Sequence, residues 1–509
     1  MKLYKALVIV CCVFFITLNL LAQNRFEACN EALKKGDYQT AISCFKDATR
    51  KDKKNPNAFI GLGTALLKAD STDEAQRVLF QARELDSQNP QVYVLLGDSY
   101  MKQNIPAAAT GQYEQAIKLD STNPELFLKL GEAYRKSRQW NDAAEAYHKV
   151  ISLDSVNIVA LRELSSIYFR AKKWANAVKY LDPLVRLQPD SLNYQFMYVK
   201  SLYENKRFKD MIPVAELLLK KDPSLTDVIQ PMLAEAYQVT GQTKLVIEAL
   251  EKLNRDSLKV DDLVRLARAY QSDQQNEKAE EIYLLLFTKD STRCDVRYYF
   301  GTNEMKLKKW SEAVKQFEMK IECDTSAGYR FASYLNAAMC LMQMKDFKKA
   351  KDYILKSIEY RPDDVRAWQT LAQCYGLLEQ TKDEIAAYKK VIELATTTNS
   401  NGNEEKYSVV LCDAYRMVGV RLLIDATKDK DPETNKAKYL NSTDYLKKAL
   451  QCNPKDCELN LWLAQAYQNA GNKEEAKKYY CRVLDYCPKA KQADDAKKGL
   501  DVLGFKCGQ

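Results

Sequence analysis

The sequence predicts an all-α, right-handed superhelical solenoid of about thirteen two-helix repeats with a C-terminal capping helix. Three observations support this fold class: residue types recur at a strict spacing of 34, apolar residues within each unit follow helical periodicity, and Gly and Pro are few, at 16 and 13 of 509 residues. In such an array each unit packs only against its neighbours, so a long chain needs no central core.

The N-terminal segment has the three-part pattern of an export signal. Lys2 and Lys5 precede an apolar run over residues 6–21, and cleavage is expected after the small residue Ala22 that follows. We predict a signal peptide over residues 1–22 and a periplasmic or envelope-associated protein. The alternative is a retained anchor, although the apolar run is short for a membrane span. Contact with a membrane is expected only through this signal or through envelope partners.

The clearest repeats lie between residues 56 and 157 and open with Pro56, Pro90 and Pro124. An Asn precedes each of these prolines, and an Asn-Pro pair favours the start of a helix. A turn should follow the first helix of a unit, because Gly often closes a helix in the left-handed conformation. The array extends on both sides of this region through five alanines at multiples of 34, namely Ala41, Ala75, Ala109, Ala143 and Ala177.

The order of these residues resembles the tetratricopeptide repeat (TPR). The unit opened by Pro90 has the full pattern of Leu-Gly, Tyr, a turn, Ala, Tyr and a closing Asp, as in Leu96, Gly97, Tyr100, Ala109 and Asp120, and the other units keep most of it. With the export signal, the resemblance is to an exported bacterial member. It implies that first helices line a concave face on which proteins or extended peptides bind.

The repeat frame divides the chain further. Residues 23–398 form about eleven repeats, 399–456 one irregular repeat with insertions, 457–488 the final repeat, and 489–509 a capping helix and tail. Within the irregular repeat we expect helices at 404–427 and 439–452. Glu384 stands where an Ala is expected, so either the helix slips by one residue or the packing is looser there.

Nothing in the sequence indicates catalysis, a cofactor or a metal site. The only histidine, His148, is expected on a solvated helix face, and no nucleophile motif or Gly-rich phosphate loop is present. An active site within residues 396–456 is the remaining enzymatic alternative. Without the signal the formal net charge is +7, which over so long an array indicates no nucleic-acid partner.

Twelve of the fourteen cysteines follow the signal segment. In two units a Cys begins the first helix and another ends the second helix, where the open end of a hairpin brings them together. These pairs and a third near the N-terminus are the predicted disulfides: Cys294 with Cys323, Cys457 with Cys487, and Cys29 with Cys44. The alternative is that cysteines fill small buried sites, as expected for Cys340, Cys374 and Cys412. A zinc site from Cys452, Cys457, Cys481 and Cys487 lacks the usual short spacing.

The resemblance also selects a binding surface. Read through the repeat frame, the first helices of the middle units present basic and aromatic side chains, which suit an extended peptide with carboxylates. These candidate partner-binding residues are Arg135, Arg162, Arg170, Lys200, Tyr203, Arg265, Arg268, Tyr298 and Tyr299. We expect a non-catalytic protein-interaction scaffold of the bacterial cell envelope. The alternative is a polysaccharide or cell-wall glycan ligand stacked on Tyr298 and Tyr299.

Overall fold

The computed structural model describes residues 26–399, 408–428 and 431–507. They form two compact units that meet in sequence between Gln242 and Thr243. The predicted signal peptide, residues 1–22, lies outside the described residues. Over the described ranges the regular structure is entirely helical, as predicted, and no helix there is both long and apolar enough to cross a membrane.

The first unit consists of helical hairpins whose members are mostly 13 or 14 residues long. Its helices are α1 (26–34), α2 (Tyr38–Lys51), α3 (Pro56–Lys68), α4 (Thr72–Leu85), α5 (Pro90–Lys102), α6 (Pro106–Leu119), α7 (Pro124–Lys136), α8 (Trp140–Leu153), α9 (Ile158–Arg170), α10 (Trp174–Leu187), α11 (Leu192–Glu204), α12 (Phe208–Lys221) and α13 (Thr226–Val239).

The second unit continues the same pattern and includes the longest helices. They are α14 (Thr243–Glu251), α15 (Val260–Ser272), α16 (Asn276–Lys289), α17 (Cys294–Lys306), α18 (Trp310–Cys323), α19 (Ala327–Gln343), α20 (Phe347–Tyr360), α21 (Val365–Leu377), α22 (Thr381–Asn399), α23 (Ser408–Lys428), α24 (Pro432–Cys452), α25 (Cys457–Asn469), α26 (Lys473–Tyr486) and α27 (Lys491–Leu503).

The first helices start where the Asn-Pro pairs predict. Asn89 accepts a hydrogen bond from the Gln91 backbone N–H at 3.0 Å, and Asn123 accepts one from Glu125 at 3.0 Å. The proline that follows each Asn has no N–H that would need a partner. Each of these repeats therefore has a fixed starting point, which sets the register of the hairpin.

The turns inside the hairpins close each first helix with a left-handed residue. Gly36, Gly241 and Gly471 take this position, with φ near 80°. At nine other turns a larger residue takes it: Asp70, Asn104, Arg138, Lys172, Lys206, Gln274, Lys308, Lys345 and Glu379. Two backbone hydrogen bonds stabilise the left-handed conformation of Lys172. Lys173 N–H donates to Tyr168 O at 2.9 Å, and Lys172 N–H donates to Phe169 O at 3.1 Å. This pattern places long charged side chains at the edge formed by the turns.

Close approach of the two helices in a hairpin depends on small residues. A Cβ added at Gly131 would lie 2.7 Å from Tyr147 Cε1, and one at Gly301 would lie 2.8 Å from Phe317 Cε1. Gly97 stands against Tyr113 in the same way, and Ala109 on the facing helix is fully buried. The aromatic rings fill the space that the small residues leave.

Replacing Ala109 by leucine should overpack this interface and lower the free energy of unfolding by about 1–3 kcal/mol. Urea denaturation followed by circular dichroism measures the change. Ala107, exposed on the same helix, is the matched site, and Ala107→Leu should leave stability nearly unchanged. Equal stability of the two variants would contradict the packing assigned to Ala109.

The irregular repeat differs from the sequence prediction at one helix. The first helix is described over 408–428, and residues 404–407 of its predicted span lie outside the described residues. The second helix begins at Pro432, seven residues before the expected 439. Asp431 caps it by accepting a bond from Thr434 N at 3.0 Å. The expected start at 439 was wrong because the Asp431-Pro432 pair starts this helix just as Asn-Pro pairs start α3, α5 and α7.

Glu384 does not shift its helix. Its backbone N–H bonds to Gln380 O at 2.9 Å, and Tyr388 one turn later remains buried. The Glu384 side chain is 3% exposed and pairs with Arg421 Nε at 2.9 Å. Gly376 provides the room, since a Cβ there would lie 2.9 Å from Glu384 Oε1. A buried carboxylate, paired with a partly exposed arginine, thus occupies the site where other repeats use alanine.

Five disulfides join cysteines of the described residues. They are Cys29–Cys44, Cys294–Cys323, Cys412–Cys452, Cys457–Cys487 and Cys481–Cys507. The structure contains the three predicted pairs. The expectation for Cys412 was wrong, because it bonds to Cys452 instead of filling a buried site. The zinc alternative was also wrong, because its four cysteines are all in disulfides. Cys340 and Cys374 are free and buried.

Candidate functional site

The predicted binding residues fall in both units, and each unit is described separately. In the first unit Arg135, Arg162, Arg170, Lys200 and Tyr203 lie on α7, α9 and α11, which are first helices of successive repeats. In the second unit Arg265, Arg268, Tyr298 and Tyr299 lie on α15 and α17. The structure gives most of these side chains partners within the chain, which sequence patterns alone do not show.

One carboxylate offsets two of the arginines. Glu163 lies 3.6 Å from Arg135 Nε and accepts a hydrogen bond from Arg162 Nη2 at 3.0 Å. The Glu163 side chain is 18% exposed, so this pair of contacts lies partly out of water and is better preserved than a surface pair. Arg135 and Arg162 therefore contribute less positive charge than their number implies.

The side chains on α11 are also paired. Lys200 Nζ lies 2.7 Å from Glu204 Oε1, one helical turn away. The Tyr203 hydroxyl donates to Glu235, and Lys206 Nζ lies 3.2 Å from the other oxygen of the same carboxylate. This part of the surface is close to neutral.

Arg170 is different, because its neighbour is a ring. Its guanidinium carbon lies 5.4 Å from the centre of the Trp140 ring, a cation–π distance. Within the described residues Arg170 forms no ion pair, and its side chain is exposed. Its charge is thus available to a ligand.

A pocket of about 600 Å³ lies between α8 and α9 beside this pair. Arg135, Trp140, His148, Glu163, Ser166 and Arg170 are among its lining residues. It brings together two of the predicted binding residues, Arg135 and Arg170. Trp140 and His148 were not in the predicted set.

His148 is not the solvated side chain that the sequence analysis expected. It is half-buried, with Nε2 2.7 Å from the Tyr168 hydroxyl and Nδ1 2.9 Å from the Tyr180 hydroxyl. The two tyrosine rings are stacked, with centroids 5.7 Å apart. Burial, helped by the charge of Lys179, lowers the pKa of His148 below its usual 6.5. At neutral pH the imidazole is therefore uncharged, donating to one tyrosine and accepting from the other.

The repeat frame contained a signal for this contact. Tyr134 donates its hydroxyl proton to Glu114, and Tyr237 donates to Glu216 at the corresponding position of another repeat. His148 precedes Tyr168 by the same twenty residues that separate Glu114 from Tyr134. The residue at this position bonds to the tyrosine of the following repeat, so the partner of His148 follows from the spacing.

In the second unit the predicted residues pack against one another. Arg265 Nη1 bonds to Asp262 at 2.6 Å, and the Arg268 guanidinium lies 4.3 Å from the centre of the Tyr299 ring. Tyr298 contacts the rings of Tyr299 and Tyr329 edge-on. Each of these rings thus has a neighbouring side chain against part of its surface.

Models of the tetratricopeptide repeat match residues 32–99, 94–158, 128–191, 331–364, 365–398 and 445–478. Together these segments cover just over half of the chain. The chain belongs to the tetratricopeptide repeat family. The TPR matches include α7, α8 and α9, so the pocket is built from regular TPR hairpins.

Solved structures with a similar fold include MamA, with 25% identity over 33% of this chain and 97% of that chain, at a TM-score of 0.31. The C-terminal part of a TPR protein from Cytophaga hutchinsonii has 18% identity over 59% of this chain and 98% of that chain, at 0.36. A chain in the structure of Naa15/Naa10 bound to HypK-THB has 12% identity over 96% and 98%, at 0.36. No curated protein matches this TPR chain.

Proposed function

We propose that this TPR protein is a non-catalytic scaffold of the bacterial cell envelope that binds partner proteins or extended peptides on the surface of its first helices. The observation that supports this most directly is the pocket between α8 and α9, which lies on a rigid array of hairpins and combines an exposed indole with an unpaired guanidinium. A preformed surface of this kind binds with little ordering cost.

The envelope setting has two supports of its own. The N-terminal sequence has the pattern of an export signal. Five disulfides in one chain fit an oxidising compartment, because thiols in the bacterial cytoplasm are kept reduced. Fractionation of cells that express the full chain should place it with periplasmic or membrane-associated proteins, and recovery in the cytoplasm would contradict the setting.

In-cell crosslinking followed by mass spectrometry tests the scaffold function. The full chain should yield a small set of protein partners, and Arg162→Glu or Tyr298→Ala should reduce their recovery. Lys53→Glu is the matched control, because Lys53 is exposed in the turn between α2 and α3 and forms no ion pair within the described residues. If no partner depends on either first-helix variant, the assigned surface is wrong.

A further inference from the structure

The pocket between α8 and α9 exists because of small side chains at one repeat junction. Ser166 occupies a position where the neighbouring repeats carry Asp98, Glu132 and Lys200, and it lines the pocket together with Ala144 and Ala171. A larger side chain is therefore compatible with the fold at Ser166, and its absence leaves open space.

The charge around the pocket is uneven. Glu163 already has two arginine partners, whereas Arg170 and Lys173 have no carboxylate partner within the described residues. The remaining acidic lining residue is Glu145. It lies in the middle of α8, away from the turn where Trp140 begins the helix. The end of the pocket near the turns is consequently positive, and the opposite end is not.

Two further cations stand at this positive end. Arg138 and Lys172 occupy the left-handed positions of the α7–α8 and α9–α10 turns, and both are exposed. The contact between Arg170 and Trp140 shows that these turns are neighbours. A ligand that enters from the turns meets a concentrated positive field before it reaches the pocket.

An apolar surface lies next to these charges. The Trp140 side chain is 41% exposed, although indole rings are usually well covered, and Ile167 lines the same pocket. An exposed aromatic side chain in a concave site beside arginine is the composition found at protein-binding hot spots.

We propose that this pocket binds an acidic segment of a partner protein, with a large apolar side chain against Trp140 and an adjacent carboxylate at Arg170 and Lys173. This inference rests on the proposed scaffold function and adds the chemistry of the partner. A polypeptide fits better than a uniform polyanion such as an acidic polysaccharide or lipid surface, because a polyanion would use the cations and leave the indole and the pocket unused.

Selection from a random dodecapeptide display library on the purified, oxidised chain tests the proposal. The selected peptides should carry Asp or Glu beside Leu, Phe or Trp. By fluorescence anisotropy, Arg170→Glu and Lys173→Glu should each weaken binding of a selected peptide about tenfold, because each replaces an attraction by a repulsion. Ser166→Leu should weaken it by a similar factor without any change of charge, because the leucine fills the pocket.

Lys53→Glu supplies the control for net charge and should bind as the unaltered chain does. Thermal unfolding of every variant checks that the hairpins remain folded, and Ser166→Leu keeps the test valid if a charge reversal does not fold. Peptides without acidic residues, or peptides that bind Arg170→Glu and Ser166→Leu as tightly as the unaltered chain, would overturn the proposal.

Dextran sulfate and phosphatidylglycerol vesicles distinguish the other anionic partners. If no peptide is selected, and if either probe binds the unaltered chain and the Ser166→Leu variant equally well, the site is one for polyanions and the proposal is wrong. If the crosslinked partners are recovered equally well with the Arg170→Glu variant, the pocket is not their binding site, but the scaffold function is still supported. Absence of any crosslinked protein from the unaltered chain would refute the scaffold function itself.

Discussion

Reduction of the disulfides should unfold the described residues of the second unit while those of the first unit keep most of their helical structure. Four of the five bridges lie in the second unit, with sequence separations of 29, 40, 30 and 26 residues. In the chain-entropy picture, closing a loop of this size stabilises the folded state by about 3–4 kcal/mol. Their combined loss is comparable with the whole stability of a typical domain, about 5–15 kcal/mol.

The two free cysteines provide a local readout of this unfolding. Cys340 and Cys374 are buried, and burial raises the pKa of both thiols, that of Cys340 to about 12. Neither thiol should therefore react while the unit is folded. After mild reduction, alkylation at Cys340 and Cys374 followed by peptide mapping should rise with the loss of structure. Proteolysis of the first unit should change little in the same sample.

A variant with Cys29→Ser and Cys44→Ser serves as the control, since it lacks only the bridge of the first unit. It should leave Cys340 and Cys374 protected. Equal damage to both units on reduction would contradict the expectation. So would free thiols at Cys294 and Cys323 in protein recovered after oxidative export.

Glu304→Gln should stabilise the second unit at neutral and alkaline pH. Glu304 is 1% exposed, and neither carboxylate oxygen has a hydrogen-bond partner. It lies on α17 where other repeats place a tyrosine, such as Tyr134 or Tyr270, whose longer side chain reaches a carboxylate on the preceding helix. The glutamate side chain is too short to reach such a partner or the surface, so its carboxylate stays buried between the helices without a hydrogen bond.

The environment of this carboxyl group fixes the sign of the pH effect. Burial, with repulsion from Glu280 and Glu312 and only partial compensation by Lys309, raises the pKa of Glu304 from 4.5 to about 7. Because the folded state holds the proton more tightly than the unfolded state, stability falls as the pH rises from about 4.5 to about 7. The full penalty, on the order of 1–3 kcal/mol, persists above that range.

Urea unfolding at about pH 5 and about pH 8 measures this linkage. Glu304→Gln should gain stability mainly at the higher pH and flatten the pH dependence. Glu322, exposed on the next helix, is the matched site, and Glu322→Gln should behave as the unaltered chain. A gain of the same size at both pH values would show that Glu304 does not titrate between them.

Much of the fold could be predicted from the sequence because the same sequence features recur in successive repeats. The Asn-Pro starts and the small residues against aromatic rings come from positions that recur at a fixed spacing. Two of the predicted cysteine pairs, Cys294 with Cys323 and Cys457 with Cys487, take nearly the same two places in their units. The start of α24 was missed only because the same rule appeared there as Asp431-Pro432. The bridge from Cys481 to Cys507 escaped because it leaves the repeat frame for the tail.

The binding surface was less predictable because its chemistry depends on pairs. Arg162 is a cation in the sequence, but Glu163 offsets it in the structure. The sequence of its own repeat predicts that His148 is solvated, but its two hydrogen-bond partners, Tyr168 and Tyr180, belong to the next repeat. The pocket arises because the Ser166 side chain is small. A small side chain at one position does not show in the composition or the charge pattern of the sequence.

The cysteine bridges at the two ends of the described chain change how this protein can come apart. A terminal repeat has one neighbour instead of two and would ordinarily fray first. Here Cys29–Cys44 ties α1 to α2, and Cys481–Cys507 ties the segment after α27 back to α26. Neither α1 nor α27 can therefore separate fully from its neighbouring helix while its bridge is intact, and reduction of these two disulfides is the step that would release the outermost described helices.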